Sequence, residues 1–388
     1  MKILIVGAYP DSLINFRGNL IKDMIVAGHS VTAIANGASY EVISKLASMD
    51  VNYLDYPINR RSINPINDSK TLLSLFKIIK RNKPDVVLAY TIKPIIWGGL
   101  ASRIASVRSF YAMIEGLGFA FQEGGRRRRL LGSLVVFLYK ISLQNSKKVI
   151  FLNPDNQNTF LNKKIIDVKK SVIIDGIGVD LDYYQNCPLP PSINCRLIFL
   201  TIGRLLGEKG FREYAQAANI VKARYPETVF RLVGPVDASS DGIPINEVEV
   251  WEKSGWIEYL GESRDVRTHL IDCHVYVLPS YHEGLPRTIQ EAMAIGRPIL
   301  TTDVPGCRET VIPGDNGWLV PKADAQALAD SMIWFIENSD ELQRMAKRSR
   351  QMAEKRFDVH KINRELMEIM GLSPEENFHS KARSPEEV

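Results

Sequence analysis

Tyr281-His282-Glu283-Gly284-Leu285-Pro286-Arg287-Thr288-Ile289-Gln290-Glu291 is the stretch on which the reading of this chain turns. Ahead of it, Cys273-His274-Val275-Tyr276-Val277-Leu278 has the β-branched and aromatic composition of a buried strand, and Pro279-Ser280 stops it. Pro286 sits where a first helical residue belongs, because the amide that proline lacks is unpaired there in any case. The helix then runs through Glu291-Ala292-Met293-Ala294 to Gly296, which suits a C-terminal cap. The segment reads as strand, tight turn and helix, with Gly284 admitting a close backbone approach by a ligand. A helix start offers free N–H groups and partial positive charge, a seat for phosphate. Glu283 and Glu291 flank that seat. Ionised carboxylates only accept hydrogen bonds, so hydroxyls are their natural partners, a sugar at one end and a ribose at the other. The same pair also reads simply as solvated glutamates that the helix dipole favours.

Upstream, Leu197-Ile198-Phe199-Leu200-Thr201-Ile202 is a further strand, followed by Gly203-Arg204-Leu205-Leu206-Gly207-Glu208-Lys209-Gly210 and a helix over 211–224. A guanidinium and an ammonium on a glycine-bearing loop at a strand's carboxyl end suit a diphosphate. Strands at 229–233, 256–261, 299–302 and 318–320 continue the alternation, and helices at 324–337, at 340–356 and after Phe357 finish it. The first half alternates in the same way. A strand at 2–6, a helix bearing Leu20, Ile21, Met24 and Ile25, and a strand at 31–34 form a right-handed parallel crossover. A helix over 69–82, a strand at 86–88, a helix over 95–106 and strands at 110–114, 149–152 and 172–174 follow. Gly7 and Gly18 lack the close spacing of a dinucleotide fingerprint, which disfavours a nicotinamide enzyme. Glu115 stands just past a strand's carboxyl end, where ligands gather in open α/β sheets. It reads as an acid/base or substrate-orienting residue, or as a carboxylate capping the next turn.

A chain of 388 residues exceeds what one core usually supports, so two domains are expected. Hydrophobic content of 45% and charge of 24% describe a soluble globular protein. The net charge of +5 is uneven: residues 1–190 carry 25 Lys+Arg against 14 Asp+Glu, and residues 191–388 carry 24 against 30. The basic half suggests an anionic partner. Arg126, Arg127, Arg128 and Arg129 precede Leu130, Leu131, Leu134, Val135, Phe137, Leu138 and Ile141, apolar at helical spacing. Four cations at a helix start oppose its dipole, and either water or an anionic membrane surface offsets that. No aromatic residues interleave the run, which argues against nucleic acid. The cysteines show no paired spacing and read as free thiols in a reducing compartment. No apolar run reaches the ~20 residues of a membrane span, and no signal-peptide pattern follows Met1-Lys2. The expectation is a cytoplasmic protein, peripheral on the inner face of the cell membrane, with a disordered tail at 373–388.

Gly203-Arg204, Glu208-Lys209-Gly210, Ser280-x-x-Glu283-Gly284-Leu285-Pro286, Glu291-Ala292-Met293-Ala294 and Gly296-Arg297-Pro298 together resemble the retaining GT-B glycosyltransferases of family 4, whose signature is Glu-x7-Glu. The resemblance spans nearly the whole chain. It implies two Rossmann-like parallel-sheet domains facing a cleft: 1–178 for the acceptor and 196–356 for the nucleotide sugar. A linker would occupy 179–195, and a helix at 357–372 would return to the first domain. It implies that Arg204 and Lys209 hold the donor diphosphate, that Glu291 binds the ribose hydroxyls and that Glu283 faces the transferred sugar. The amides of Gly284, Leu285 and Arg287 would meet phosphate or sugar, with Gly18 opposite, and the catalytic roles would fall to Glu115 and Glu283.

Many family members carry histidine or aspartate where this chain has Glu115. Glu115-Gly116-Leu117-Gly118, Val179-Asp180 and Ser280-Tyr281 are similar instead to the branch that includes bacterial N-acetylgalactosaminyltransferases acting on undecaprenyl-diphosphate-linked bacillosamine. The resemblance therefore implies transfer of a hexosyl group, an N-acetylhexosamine, from a UDP-sugar to a polyprenyl-diphosphate-linked saccharide. It implies no cofactor and no metal, and no Asp-x-Asp metal pair stands out. Two other readings stay open: a non-hydrolysing UDP-sugar epimerase and a catalytically silent sugar-binding module.

Overall fold

The computed structural model describes residues 1–59, 64–118, 121, 125–191 and 196–373. The side chains of Arg126, Arg127 and Arg128, the residue Cys195 and the expected tail beyond residue 373 lie outside the described residues.

Among the described residues, seven strands form the first sheet: β1 (Lys2–Val6), β2 (Ser30–Ala35), β3 (Asn52–Asp55), β4 (Val86–Tyr90), β5 (Ser109–Ile114), β6 (Ser146–Phe151) and β7 (Ser171–Ile173). All pair in parallel, in the order β3-β2-β1-β4-β5-β6-β7. Six form the second: β8 (Ile198–Ile202), β9 (Val229–Val233), β10 (Glu258–Tyr259), β11 (Val275–Leu278), β12 (Ile299–Thr302) and β13 (Gly317–Val320). These too are parallel, in the order β10-β9-β8-β11-β12-β13. Helices cover both faces of such sheets, so the central strands are apolar along their whole length. Both β4 and β11 are buried throughout.

The strand orders fix where ligands belong. Chain direction across the sheet reverses between β1 and β4 in the first domain and between β8 and β11 in the second. The crevice beyond the carboxyl ends at such a reversal is the natural binding place. In the second domain that crevice is bounded by the Gly203–Gly210 loop on one side and the Pro279–Arg287 turn on the other, the two stretches singled out from sequence.

The α/β architecture and the returning helix match the sequence reading, and the differences are local. β3 and the helix Tyr40–Ala47 before it went unread, because the edge strand Asn52-Tyr53-Leu54-Asp55 lacks an apolar run and none of its residues is fully buried. The helices Pro154–Asn162 and Ile245–Lys253 were also missed. Pro286 is the cap and not the first helical residue: its ψ of 119° keeps it in the turn, and the helix runs Arg287–Ile295. Gly296 closes that helix in the left-handed region, at φ 86°.

The last helix, Val359–Met370, packs its buried Ile362, Leu366, Met367 and Met370 against the first domain's helix Gly18–Val26. Asn363 donates to Asp23 at 2.7 Å, and the Tyr111 hydroxyl donates to the Met370 carbonyl at 3.2 Å. Where the chain crosses over, Val179 and Asp358 pair in parallel, with Val179 N–H donating to Phe357 O at 2.8 Å. Gly178, at φ 74°, lies so close to Val359 that a Cβ would sit 2.6 Å from the Val359 Cα. The Cys187-Pro188 stretch of the linker is held by Arg297, a fully buried guanidinium that donates to the carbonyls of Cys187, Pro188, Leu270, Ile271 and Gly296. Cys187, Cys273 and Cys307 are free.

Candidate active site

At the second domain's crevice, Lys209 ends a short helical turn, Gly207–Lys209, which Gly210 closes at φ 70°. Any side chain at 210 would strike the Pro279 carbonyl, so the two walls of the crevice touch here backbone to backbone. Tyr281 N–H donating to Glu208 O at 2.8 Å adds a second tie. Lys209 Nζ is 2.5 Å from Glu283 Oε1, and the Ser280 hydroxyl donates to the same oxygen at 2.6 Å. Glu283 is therefore no solvated helix-start residue. It holds a cation and a hydroxyl at the mouth of the turn.

Arg204 projects from the end of β8 with its side chain 58% exposed, and donates to Asp237 Oδ2 at 2.7 Å. Hydrogen bonds from Ser239, with the Arg204 guanidinium adding to them, hold the Asp237 carboxyl down at about 2. The amides of Gly284, Leu285 and Arg287 donate no hydrogen bond among the described residues, so the turn presents free donors ahead of the Arg287–Ile295 helix. The Leu285 side chain itself is in the core.

Glu291 lies inside that helix and is buried. Burial raises its pKa, while Arg287 and a hydrogen bond from Tyr184 act in the opposite direction. Arg287 Nε is 3.0 Å from Glu291 Oε1. The other end of the guanidinium reaches the first domain, where it donates to the Asn15 carbonyl and lies 5.3 Å from the Phe16 ring centroid.

The close approach that Gly284 permits is made by the protein itself, which corrects the ligand-approach reading. A Cβ at 284 would overlap the Glu115 carbonyl, and Asn153 donates its side-chain amide to the Gly284 carbonyl. Glu115 follows β5 as expected, and its carboxylate pairs with Arg17. Arg17 is 1% exposed, donates to Phe16 O at 3.0 Å and stacks 4.5 Å over Tyr90. Sequence reasoning missed Arg17, because its partner lies 98 positions away and no local pattern marks the pair. Gly18 opens its helix, and a Cβ there would meet nothing within 4 Å among the described residues.

A cavity of about 990 Å³ runs between the domains. Arg204, Arg212 and His282 line it on one side and Gly118, Asp155 and Asn156 on the other. The structure thus brings Lys209, Glu283, Gly284 and the Glu115 backbone together and puts Arg204 on the cavity, while Glu291 and Arg287 form a second group along the helix. On the helix Arg126–Ser142, Arg129 is exposed, as are Leu130 (72%), Leu134 (48%) and Phe137 (57%). No helix among the described residues is long and apolar enough to cross a membrane.

Comparison with known proteins follows the same division. Residues 19–153 match the family described as glycosyl transferase 4-like, and residues 192–352 match glycosyl transferases group 1. The chain is 27% identical over 356 residues to the N,N'-diacetylbacillosaminyl-diphospho-undecaprenol alpha-1,3-N-acetylgalactosaminyltransferase of Campylobacter jejuni, covering 88% of this chain and 91% of that one. It is 26% identical to the UDP-Gal:alpha-D-GlcNAc-diphosphoundecaprenol alpha-1,3-galactosyltransferase of Escherichia coli, covering 70% of this chain and 72% of that one. Among solved structures, Anabaena HepE in complex with UDP superposes with a TM-score of 0.75 at 19% identity, covering 96% of this chain and all of that one. Sucrose-phosphate synthase from Thermosynechococcus elongatus gives 0.76 at 17%, covering 95% and 98%. The two structures share the fold. The two curated relatives are transferases, which leaves the epimerase reading without support.

Proposed function

We propose that this chain, which belongs to the glycosyltransferases and joins a 4-like domain to a group 1 domain, moves a hexosyl group from a UDP-sugar to a polyprenyl-diphosphate-linked saccharide. The sugar is an N-acetylhexosamine, and its anomeric configuration is retained. The observation that carries the proposal is the pairing of Lys209 with Glu283 beneath a turn whose amides are free.

The difficult step is departure of the diphosphate, on which negative charge accumulates. Fixed cations and oriented amides stabilise that charge without reorganising when it forms. Lys209 and Arg204 supply the cations, and the turn at Gly284, Leu285 and Arg287 supplies the amides. Lys209 exchanges Glu283 for phosphate, which frees Glu283 to accept from the hydroxyls of the transferred sugar. Glu291 takes the ribose hydroxyls. Glu115 orients the reacting groups from the first domain, fixed by Arg17. No metal takes part.

The acceptor's lipid keeps the enzyme on the inner face of the cell membrane, in cell-surface polysaccharide or glycan assembly. Leu130, Leu134 and Phe137 recur at i, i+4 and i+7, so they share one exposed face of a helix that begins with four arginines. That face suits an anionic leaflet.

Incubation with a panel of labelled UDP-sugars, with and without a lipid-linked acceptor, tests the reaction. Acceptor-dependent transfer is expected; isomerised sugar without transfer, or binding without turnover, refutes it. For the membrane face, replacing Arg126–Arg129 by glutamine should lower recovery with anionic liposomes, and unchanged recovery removes that part of the proposal.

A further inference from the structure

Arg287 is the side chain in the donor turn that spans the two domains and also pairs with a candidate nucleotide-binding residue. We infer that it is a positioning residue, coupling occupancy at Glu291 to the placement of the first domain's Asn15-Phe16 segment. The inference rests on the donor-site reading above.

The geometry needs an arginine. Guanidinium is a planar fork of five donors, so one edge can face a carboxylate while another donates in a different direction. Here Nε forms an ion pair with Glu291 Oε1 at 3.0 Å without a hydrogen bond, while Nη1 donates to the Asn15 carbonyl and the guanidinium carbon lies 5.3 Å from the Phe16 ring centroid. The Asn15-Phe16 segment is fixed from behind as well. Arg17 donates to Phe16 O and pairs with Glu115, whose carbonyl lies against Gly284. The β1-to-helix connection is thus tied at both ends to the second domain's turn.

A ribose whose hydroxyls donate to Glu291 keeps that carboxylate ionised and excludes water from it, which strengthens its hold on Arg287. A guanidinium anchored at one end presents Nη1 to Asn15 in one fixed direction. Donor binding therefore sets the first-domain wall before the acceptor arrives.

The test is hydrogen exchange across residues 9–18, with and without UDP, on the full chain. Wild type, Arg287→Ala and Arg287→Lys are compared, and UDP binding is followed in parallel by calorimetry. UDP should slow exchange in this segment about tenfold in the wild type, as expected for one charge-assisted hydrogen bond made firmer. Arg287→Ala should bind UDP more weakly, and at saturating UDP it should show no slowing. Arg287→Lys keeps the charge but not the fork. It should bind UDP more weakly than wild type, show no slowing at saturating UDP, and lose about tenfold in kcat/KM for the acceptor. Equal slowing in all three proteins overturns the inference and leaves the donor-site reading standing. Failure of UDP to bind the wild type overturns the donor-site reading and the inference together. If Arg287→Ala does not fold, Arg287→Lys alone decides: slowing like the wild type's refutes the coupling.

Discussion

Lys209 and Glu283 neutralise each other at 2.5 Å, and each is mostly buried, so neither is a spare surface charge. Removing the lysine leaves Glu283 without its counter-charge and, on the proposed mechanism, the leaving group one fixed cation short. Lys209→Ala should lower acceptor-dependent transfer by about 100-fold or more, within the range seen for loss of one transition-state donor. Steady-state assay beside thermal melting separates this from simple unfolding. Arg204 is half-exposed, so its loss should cost less.

A second residue gives a pH dependence that has nothing to do with chemistry. His274 is buried, and its Nδ1 accepts from Ile198 N–H at 3.1 Å. Burial lowers its pKa to about 4. The unfolded chain takes up that proton near pH 6.5, whereas the folded protein resists until about 4, so stability is full above 6.5 and declines as pH falls between the two. The loss amounts to ~3 kcal/mol at most. Denaturant titrations at pH 7 and pH 4.5 should show it, and His274→Gln should remove most of the slope. At this scale the sequence was least informative. Arg204, Lys209, Glu283 and Glu291 were visible as a motif, but their partners were not. The partners of Arg17, Arg287 and Arg297 lie on other elements, and local pattern carries no signal for them.

The donor turn is where element and residue meet. Strand, turn and helix were readable to within two residues, because β11 is continuously apolar and both Pro286 and Gly296 punctuate the helix. What the turn faces was not readable. Gly284 suggested room for a ligand, whereas the structure fills that room with the Glu115 carbonyl, a contact between residues far apart in sequence. The two site glycines should therefore behave differently. Gly284→Ala must push the domains apart. It should cost about 1–3 kcal/mol of stability, as overpacking does, and reduce transfer sharply. Gly18→Ala meets open space at a helix start, so its melting temperature should stay near wild type, and any lost activity then reports a ligand contact. Equal stability of Gly284→Ala and wild type would show that the Glu115 contact is not maintained in solution.

At the scale of the whole molecule, two domains followed from chain length and from the restart of alternation near residue 197, and the returning helix from the resemblance. One apolar cluster nevertheless crosses both halves, taking in Leu13, Leu20 and Tyr90 with Leu278, Leu285 and Ile289, and ending at Leu366 and Met370. Such a shared core is invisible to a reading that treats each half alone, since every strand looks the same whichever sheet it joins. It makes the last helix part of the first domain's stability. Leu366→Ala should cost ~2–5 kcal/mol, the usual range for a fully buried leucine, and destabilise both halves in a single transition. Two separated transitions in calorimetry would contradict a shared core.

The proposed seat of the nucleoside diphosphate is the place where the β8 loop meets the β11 turn. A crystal structure of the full chain with UDP decides it. The phosphates should lie within hydrogen-bond reach of Lys209 and of the free amides at Gly284, Leu285 and Arg287, with Glu291 on the ribose. Phosphates lodged elsewhere, as in the 740 Å³ cavity that the first domain forms beside Tyr9, Asn36 and Lys70, would contradict it.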